Sequence, residues 1–125
     1  MKLPLLLLML PIICVSQTYT SPYTQHLPSG IIEDINRTIT FSESEVQIIT
    51  ETPEGKDLYV LRIQQVTSEF LKGSAGEDTI FLCVTRDGKF PTTIRIPYQE
   101  KIEIIDVIEP SLDGEGEHYY RFLVD

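Results

Sequence analysis

Groups that carry out catalysis are scarce in this sequence. Its 125 residues include two histidines, two cysteines and no tryptophan. A serine or cysteine nucleophile needs a base within hydrogen-bond reach, and only His26 and His118 could provide one. The sequence also lacks Gly-x-Ser-x-Gly, His-Glu-x-x-His, a phosphate-binding loop and a dinucleotide fingerprint. These absences favour a protein that is not an enzyme and uses no cofactor, with a carboxylate-based hydrolase as a lesser alternative.

Basic residues are also few. Lysine and arginine number 10 against 19 aspartates and glutamates, and removal of Lys2 with a leader would give a net charge of −10 with histidine neutral. Nucleic acid and anionic lipid both bind surfaces rich in lysine and arginine, so the charge argues against both as partners. A protein partner, in particular a basic one, is compatible with it.

The sequence has no apolar run long enough to stay in a membrane. The run from Leu3 to Val15 contains two prolines and is shorter than the about 20 residues of a membrane anchor. A basic start, this run and small residues after it predict a signal peptide at residues 1–16. We therefore expect an exported protein, secreted or periplasmic, without stable membrane insertion. Lipidation of Cys14 is an alternative that Ile13 disfavours, because a small residue normally precedes a lipidated cysteine.

Cleavage after Ser16 would leave Cys83 as the last cysteine, which excludes an intrachain disulfide. Cys83 lies in an apolar run, and we expect it to be buried and unreactive. The remaining chain has the size of one domain and can bury a core without disulfides or metals. Its composition predicts a flexible N-terminal arm at residues 17–30 and a single domain at residues 31–125.

Short runs with β-strand periodicity fill the predicted domain, and no helical stripe of useful length interrupts them. The runs lie at residues 35–41, 46–51, 58–63, 80–85, 90–97, 102–107 and 118–124, with a weaker one around residues 70–71. The run at 58–63 and the run at 80–85 are apolar on both faces, which predicts strands covered on both sides.

Three local features of these runs predict how the strands pair. Asp87-Gly88 predicts a tight turn in a hairpin between the runs on either side of it. Pro91 and Pro97 predict an edge strand, because proline cannot donate to a ladder. A change of apolar parity between Ile104 and Ile105 predicts a β-bulge. The apolar run at the end of the chain is expected to pair with an earlier strand and close the sheet.

The predicted fold is therefore all-β: a single small antiparallel β-barrel or β-sandwich of about seven or eight strands, connected as a meander. This strand series resembles small calycin-like barrels in general outline, although it has no lipocalin signature residues. The runs at residues 58–61 and 80–84, which are apolar on both faces, make a carrier of a small apolar ligand a functional alternative. Such a carrier requires an interior that side chains do not fill.

Candidate interaction residues cluster near the acidic C-terminal end. They include tyrosines, because tyrosine is a common anchor in protein interfaces. They are Tyr98, Glu109, Asp113, Glu115, Glu117, Tyr119 and Tyr120. Asp113, Glu115 and Glu117 alternate with glycine and could ligate a hard cation such as calcium. The segment lacks the spacing of an EF-hand, however, and a solvated turn explains this pattern better. Asn36 begins an Asn-x-Thr glycosylation sequon on the predicted solvent face.

The sequence thus leaves three functional classes open. The first is an exported, non-enzymatic binding or interaction protein that presents an acidic surface, such as an inhibitor, an immunity protein or an envelope component. The second is the calycin-like carrier, and the third is the carboxylate-based hydrolase. We expect the acidic surface to lie at residues 109–117, whereas paired acids in a cleft would favour the hydrolase.

Overall fold

The computed structural model describes residues 16–111 and 116–125. Within these residues, antiparallel strands form a closed barrel in which each strand pairs with the next and the last pairs with the first. The strands are β1 (Gln17–Leu27), β2 (Ile32–Phe41), β3 (Glu45–Thr52), β4 (Gly55–Phe70), β5 (Glu77–Thr85), β6 (Pro91–Ile96), β7 (Ile104–Pro110) and β8 (Glu117–Leu123). The prediction of a small antiparallel meander is confirmed, and the fold is a barrel, not a sandwich.

Strand β1 closes the barrel, so the prediction of a flexible arm at residues 17–30 is wrong. β1 pairs with β2 along most of its length and with β8 near its C-terminal end. Pro22 lies where the β1–β2 register shifts, a position at which its missing N–H is tolerated. Ser21 and Thr24 are each 1% exposed. The amino-acid composition does not identify this strand, because Ser21 and Thr24 on its buried face are polar.

The β5–β6 hairpin forms as the sequence predicts. The Thr85 carbonyl accepts from the Gly88 N–H at 2.7 Å, and Gly88 has a φ of 77°, which glycine adopts readily. β6 is not an edge strand, because it also pairs with β7. Pro91 begins β6 and Pro97 follows its last residue, so neither proline interrupts the ladder.

The β-bulge predicted between Ile104 and Ile105 is absent from the described register, because β7 begins at Ile104. Ile102 lies before the strand and packs against the core from a loop. The Gln99 side chain holds that loop by donating to the Ile104 carbonyl and accepting from the N–H groups of Glu103 and Ile104. Ile102 therefore contacts the core from the loop, while Ile105 and Val107 contact it from β7.

The core consists of alternate residues that point into the barrel. Its buried members are Ile39, Phe41, Val46, Ile48, Leu61, Cys83, Ile94, Ile105, Val107 and Phe122. Burial raises the pKa of the Cys83 thiol to about 11, which keeps it protonated at neutral pH, as expected for a structural cysteine. Leu58 is 59% and Leu82 is 38% exposed, so the two-sided strands of the sequence prediction have one face in solvent.

Two ion-pair clusters lie on the outer surface of the barrel. The Asp106 carboxylate accepts both Nε and Nη2 of Arg121, at 2.8 and 3.1 Å. Arg95 donates from Nε to Asp78 at 2.8 Å and from Nη2 to Glu69 at 2.9 Å. Each cluster connects neighbouring strands and satisfies a nearly buried carboxylate. Residues 16–111 and 116–125 contain no helix that could cross a membrane.

Candidate functional site

The two ends of the barrel differ. At one end the barrel is packed by aromatic rings, with Phe41 at 5.9 Å from Tyr19 and 5.0 Å from Phe81 between ring centroids. The other end is surrounded by the connections β1–β2, β3–β4 and β5–β6, together with the end of β7 and the start of β8, and we term it the mouth. The mouth is where the interior is left open.

Two adjoining cavities occupy the mouth and share Tyr59, Glu109 and Tyr120. The rim cavity, about 420 Å³, is lined by Tyr59, Thr85, Phe90, Thr92, Glu109, Pro110, His118 and Tyr120. The inner cavity, about 330 Å³, is lined by Arg37, Ile48, Thr50, Asp57, Leu58, Tyr59, Val107, Glu109, Tyr120 and Phe122. An eight-stranded barrel encloses room for side chains or for one small ligand, and cavities of this size suit the latter.

Strand alternation places polar residues in the mouth directly above the core. On β7, Val107 belongs to the core and Glu109 follows it two residues later on the same face. Tyr120 lies opposite Val107 in the β7–β8 ladder, and Tyr59 lies opposite Ile48 in the β3–β4 ladder. The apolar pattern that fills the lower barrel therefore continues as a ring of polar and aromatic side chains.

Glu109 is the centre of this ring. Its Oε2 accepts from the hydroxyl of Tyr59 at 3.3 Å, and its Oε1 accepts from the hydroxyl of Tyr120. Burial raises the pKa of Tyr59, and the Glu109 carboxylate adds to the effect. The Tyr59 phenol therefore remains a protonated donor at neutral pH, and the two hydrogen bonds hold the carboxylate in one orientation.

Arg37 is the cation of the inner cavity. It donates from Nε to Thr50 Oγ1 at 3.0 Å and from Nη1 to Thr24, and its guanidinium lies 5.1 Å from the centre of the Phe122 ring. It makes no ion pair with any carboxylate in the described residues. Burial lowers the pKa of Arg37, with Glu33 acting in the opposite direction.

Thr92 is the polar side chain in the mouth that the described protein leaves unsatisfied. It is 2% exposed, and its Oγ1 has no hydrogen-bond partner of good geometry among the described residues. The Tyr59 hydroxyl is close enough for Thr92 to lower the pKa of Tyr59, an effect second only to that of burial, although the two hydroxyls do not meet in hydrogen-bond geometry. A buried hydroxyl without a partner costs free energy, and it lines the rim cavity, where a ligand could satisfy it.

The structure brings together two of the predicted interaction residues and separates others. Glu109 and Tyr120 meet inside the mouth, so Glu109 does not belong to an acidic outer surface. Tyr119 points to the opposite face, because adjacent residues on a strand alternate, and its hydroxyl donates to Asp106 at 2.9 Å. Glu117 is exposed at the start of β8. Asp113 and Glu115 lie outside the described residues.

Tyr98 lies far from the mouth, in the β6–β7 connection. Its ring covers Gly76 so closely that a Cβ at this glycine would lie 2.3 Å from Cδ1 of the ring. Its N–H donates to Asp78 at 3.0 Å. Tyr98 therefore has a packing role that its 51% exposure alone does not indicate. Asn36 is exposed on β2, and Cys14 lies outside the described residues.

Sequence reasoning missed Arg37, Tyr59 and Thr92. Arg37 did carry a signal, because it has the same parity as Ile39 and Phe41 and therefore belongs to the apolar face of β2. Thr92 had a weaker signal, because it lies two residues before Ile94. Tyr59 could not be assigned to the mouth, since its position depends on the β3–β4 register and not on the sequence of β4 alone.

Comparison with known proteins adds no assignment: no protein family, curated protein or solved structure matches the chain. Nor do three side chains of the His, Cys, Asp and Glu types come together in the described parts of the chain as a metal site would require. The mouth must therefore be interpreted from its own chemistry.

Proposed function

We propose that this protein is an exported, non-enzymatic binding protein that carries one small molecule in the mouth of its barrel. The observation that carries the proposal is the buried, unsatisfied Thr92 hydroxyl in the lining of a cavity of about 420 Å³. Ligand pockets are mostly apolar with a few polar groups that fix orientation, and the rim cavity has this composition.

The lining favours an amphipathic ligand over a purely apolar one. Phe90, Tyr59 and Tyr120 offer aromatic surface, while Glu109 and Thr92 offer hydrogen-bond acceptors. A wholly apolar ligand would remove water from these polar groups without replacing its hydrogen bonds. The ligand therefore has an apolar body and at least one hydrogen-bond donor.

The other two functional classes gain less support. The acidic-surface hypothesis is weakened because Glu109 lies inside the mouth and the Tyr119 hydroxyl already donates to Asp106. The hydrolase hypothesis has Asp57 and Glu109 in the lining of one cavity, but both oxygens of Glu109 accept from tyrosines. A carboxylate held in this way suits recognition better than proton transfer.

A blocked mouth tests the proposal. His118 is exposed and lines the rim cavity, so His118→Trp adds a large side chain there without disturbing the core. Glu117→Trp is the matched control, because the neighbouring residue on a strand points to the opposite face. The measurement is a thermal-shift screen of chemically diverse small molecules, since a ligand that binds only the folded state raises Tm.

We expect dose-dependent increases in Tm for the wild type and for Glu117→Trp, and none for His118→Trp. Native mass spectrometry of protein isolated from its host should show one small-molecule adduct. Equal responses in all three proteins would place binding outside the mouth, and a screen without any hit together with a bare native mass would overturn the proposal.

A further inference from the structure

We propose that the ligand is an organic cation, a protonated amine on an aromatic or aliphatic body, and that Glu109 is its counter-ion. This inference rests on the proposed function and specifies its ligand class. It follows from three features of the rim cavity: its charge, the free acceptor capacity of its polar groups, and the state of the nearby arginine.

The described lining of the rim cavity carries one carboxylate and no lysine or arginine. It also contains the rings of Tyr59, Phe90 and Tyr120. A cation next to aromatic faces and a carboxylate is stabilised by both, and desolvation strengthens each interaction. The net charge of the whole chain, −9, has the sign that attracts a cation toward the mouth.

The acceptors in the rim cavity match the donors of an ammonium group. An ionised carboxylate offers about four lone-pair sites, and the described tyrosines use two at Glu109. Thr92 Oγ1 is a further acceptor with no described partner. A protonated primary amine has about three donors and no acceptor, so its charge and donors match the free acceptor sites of Glu109, with Thr92 in the same lining.

Arg37 does not make the mouth a site for anions. Its guanidinium already donates to Thr50 and Thr24 and lies over the Phe122 ring. The inner cavity that it lines also contains Asp57 and Glu109, so an anion there would meet two carboxylates beside one cation. Binding of an anion is therefore the contrary outcome of the test.

Three indole probes of similar size separate the possibilities: tryptamine as the cation, tryptophol as the neutral alcohol and indole-3-propionate as the anion. The protein contains no tryptophan, so indole fluorescence and anisotropy report on the probe alone. We expect wild-type protein to bind tryptamine at least about tenfold more tightly than tryptophol, as one charged hydrogen bond allows, and indole-3-propionate most weakly.

Glu109→Gln removes the charge and keeps the shape and one acceptor oxygen. We expect it to reduce tryptamine affinity to that of tryptophol and to leave tryptophol affinity unchanged. Glu100→Gln is the matched control for net charge, because Glu100 is exposed in the β6–β7 connection at the other end of the barrel. This variant should bind all three probes as the wild type does.

Each contrary result has a defined meaning. Preference for indole-3-propionate, or equal affinity for all three probes, would overturn the cation and leave the proposed carrier function intact. Unchanged tryptamine affinity in Glu109→Gln would overturn the role of Glu109. Absence of binding by every probe would overturn the inference, while the thermal-shift screen decides the carrier function separately. The wild-type comparison uses no variant and remains decisive if Glu109→Gln fails to fold.

Discussion

Two threonines in the mouth differ in how well the protein satisfies their hydroxyls. Thr85 Oγ1 donates to Asp87 at 2.6 Å and accepts from the Phe90 N–H at 3.2 Å. Thr92 Oγ1 is buried with no partner among the described residues. A hydroxyl with partners stabilises a fold, whereas a buried one without partners destabilises it. The two residues are therefore placed to show opposite effects of the same substitution.

Thr92→Val should stabilise the unliganded protein by about 1 kcal/mol, because it replaces an unsatisfied hydroxyl by a methyl group of similar size. Thr85→Val, the control, should destabilise it by about 1 kcal/mol, because two hydrogen bonds are lost. Urea denaturation of both variants measures the free energies. A ligand site predicts one further result: Thr92→Val should bind the mouth ligand more weakly despite its greater stability. Destabilisation by Thr92→Val would show that the hydroxyl has a structural partner.

At the scale of elements, Asp78 belongs to an ion-pair cluster in which the Arg95 side chain connects three strands. It lies on β5, accepts from Arg95 on β6, and shares that arginine with Glu69 on β4. Asp78 is 3% exposed, whereas the Glu69 side chain is 52% exposed. Burial alone would raise the pKa of Asp78, but the Tyr98 N–H and Arg95 together hold it below its ordinary value of 3.8.

Asp78→Asn should reduce the free energy of unfolding at neutral pH by about 2 kcal/mol, because it leaves Arg95 facing an amide. Glu69→Gln, the control on the same arginine, should cost less than about 0.5 kcal/mol because that pair is exposed. A carboxyl with a lowered folded-state pKa stabilises above its unfolded pKa and loses this as pH falls through the folded pKa. The deficit of Asp78→Asn should therefore shrink below pH 3.8, as urea midpoints across pH would measure. A deficit that persists in acid would contradict the assignment.

The elements also show how far the sequence could be interpreted. Alternation located β2, β3, β8 and the β5–β6 hairpin, because burial on one face leaves a period of two in the sequence. β1 was missed because its inward residues include Ser21 and Thr24, whose burial depends on partners in other strands. The bulge before Ile105 was predicted in error, since Gln99 supplies the hydrogen bonds that a ladder would have supplied.

The candidate site was less predictable than the fold, for a physical reason. Acidity and aromaticity predict Glu109 and Tyr120 as interaction residues, but the contact between them depends on the β7–β8 register. Tyr59 is placed by the β3–β4 pairing, and its hydroxyl meets Glu109, which lies 50 residues further along the chain. Sites inside a closed barrel are built from several registers at once. The sequence of a single strand therefore does not specify such a site.

At the scale of the whole molecule, closure has a consequence for stability. Every described strand pairs on both sides, so the barrel has no edge that can detach without breaking two ladders. β1 is bonded to β2 and to β8, and its Thr24 lies under Arg37 in the interior. Loss of β1 would open the barrel and expose the mouth and the core together. We therefore expect the molecule to unfold as one cooperative unit.

Native-state hydrogen exchange tests this expectation in the unaltered protein. Amides in Gln17–Leu27 should exchange with the same free energy of opening as those in β3, Glu45–Thr52, because both require global unfolding. Exposed turns such as residues 86–89 should exchange far faster and serve as the internal reference. If the peptide that covers β1 exchanged as fast as those turns while β3 stayed protected, β1 would be a detachable arm. The mouth, with Thr24 beneath Arg37, would then exist only while that arm was docked.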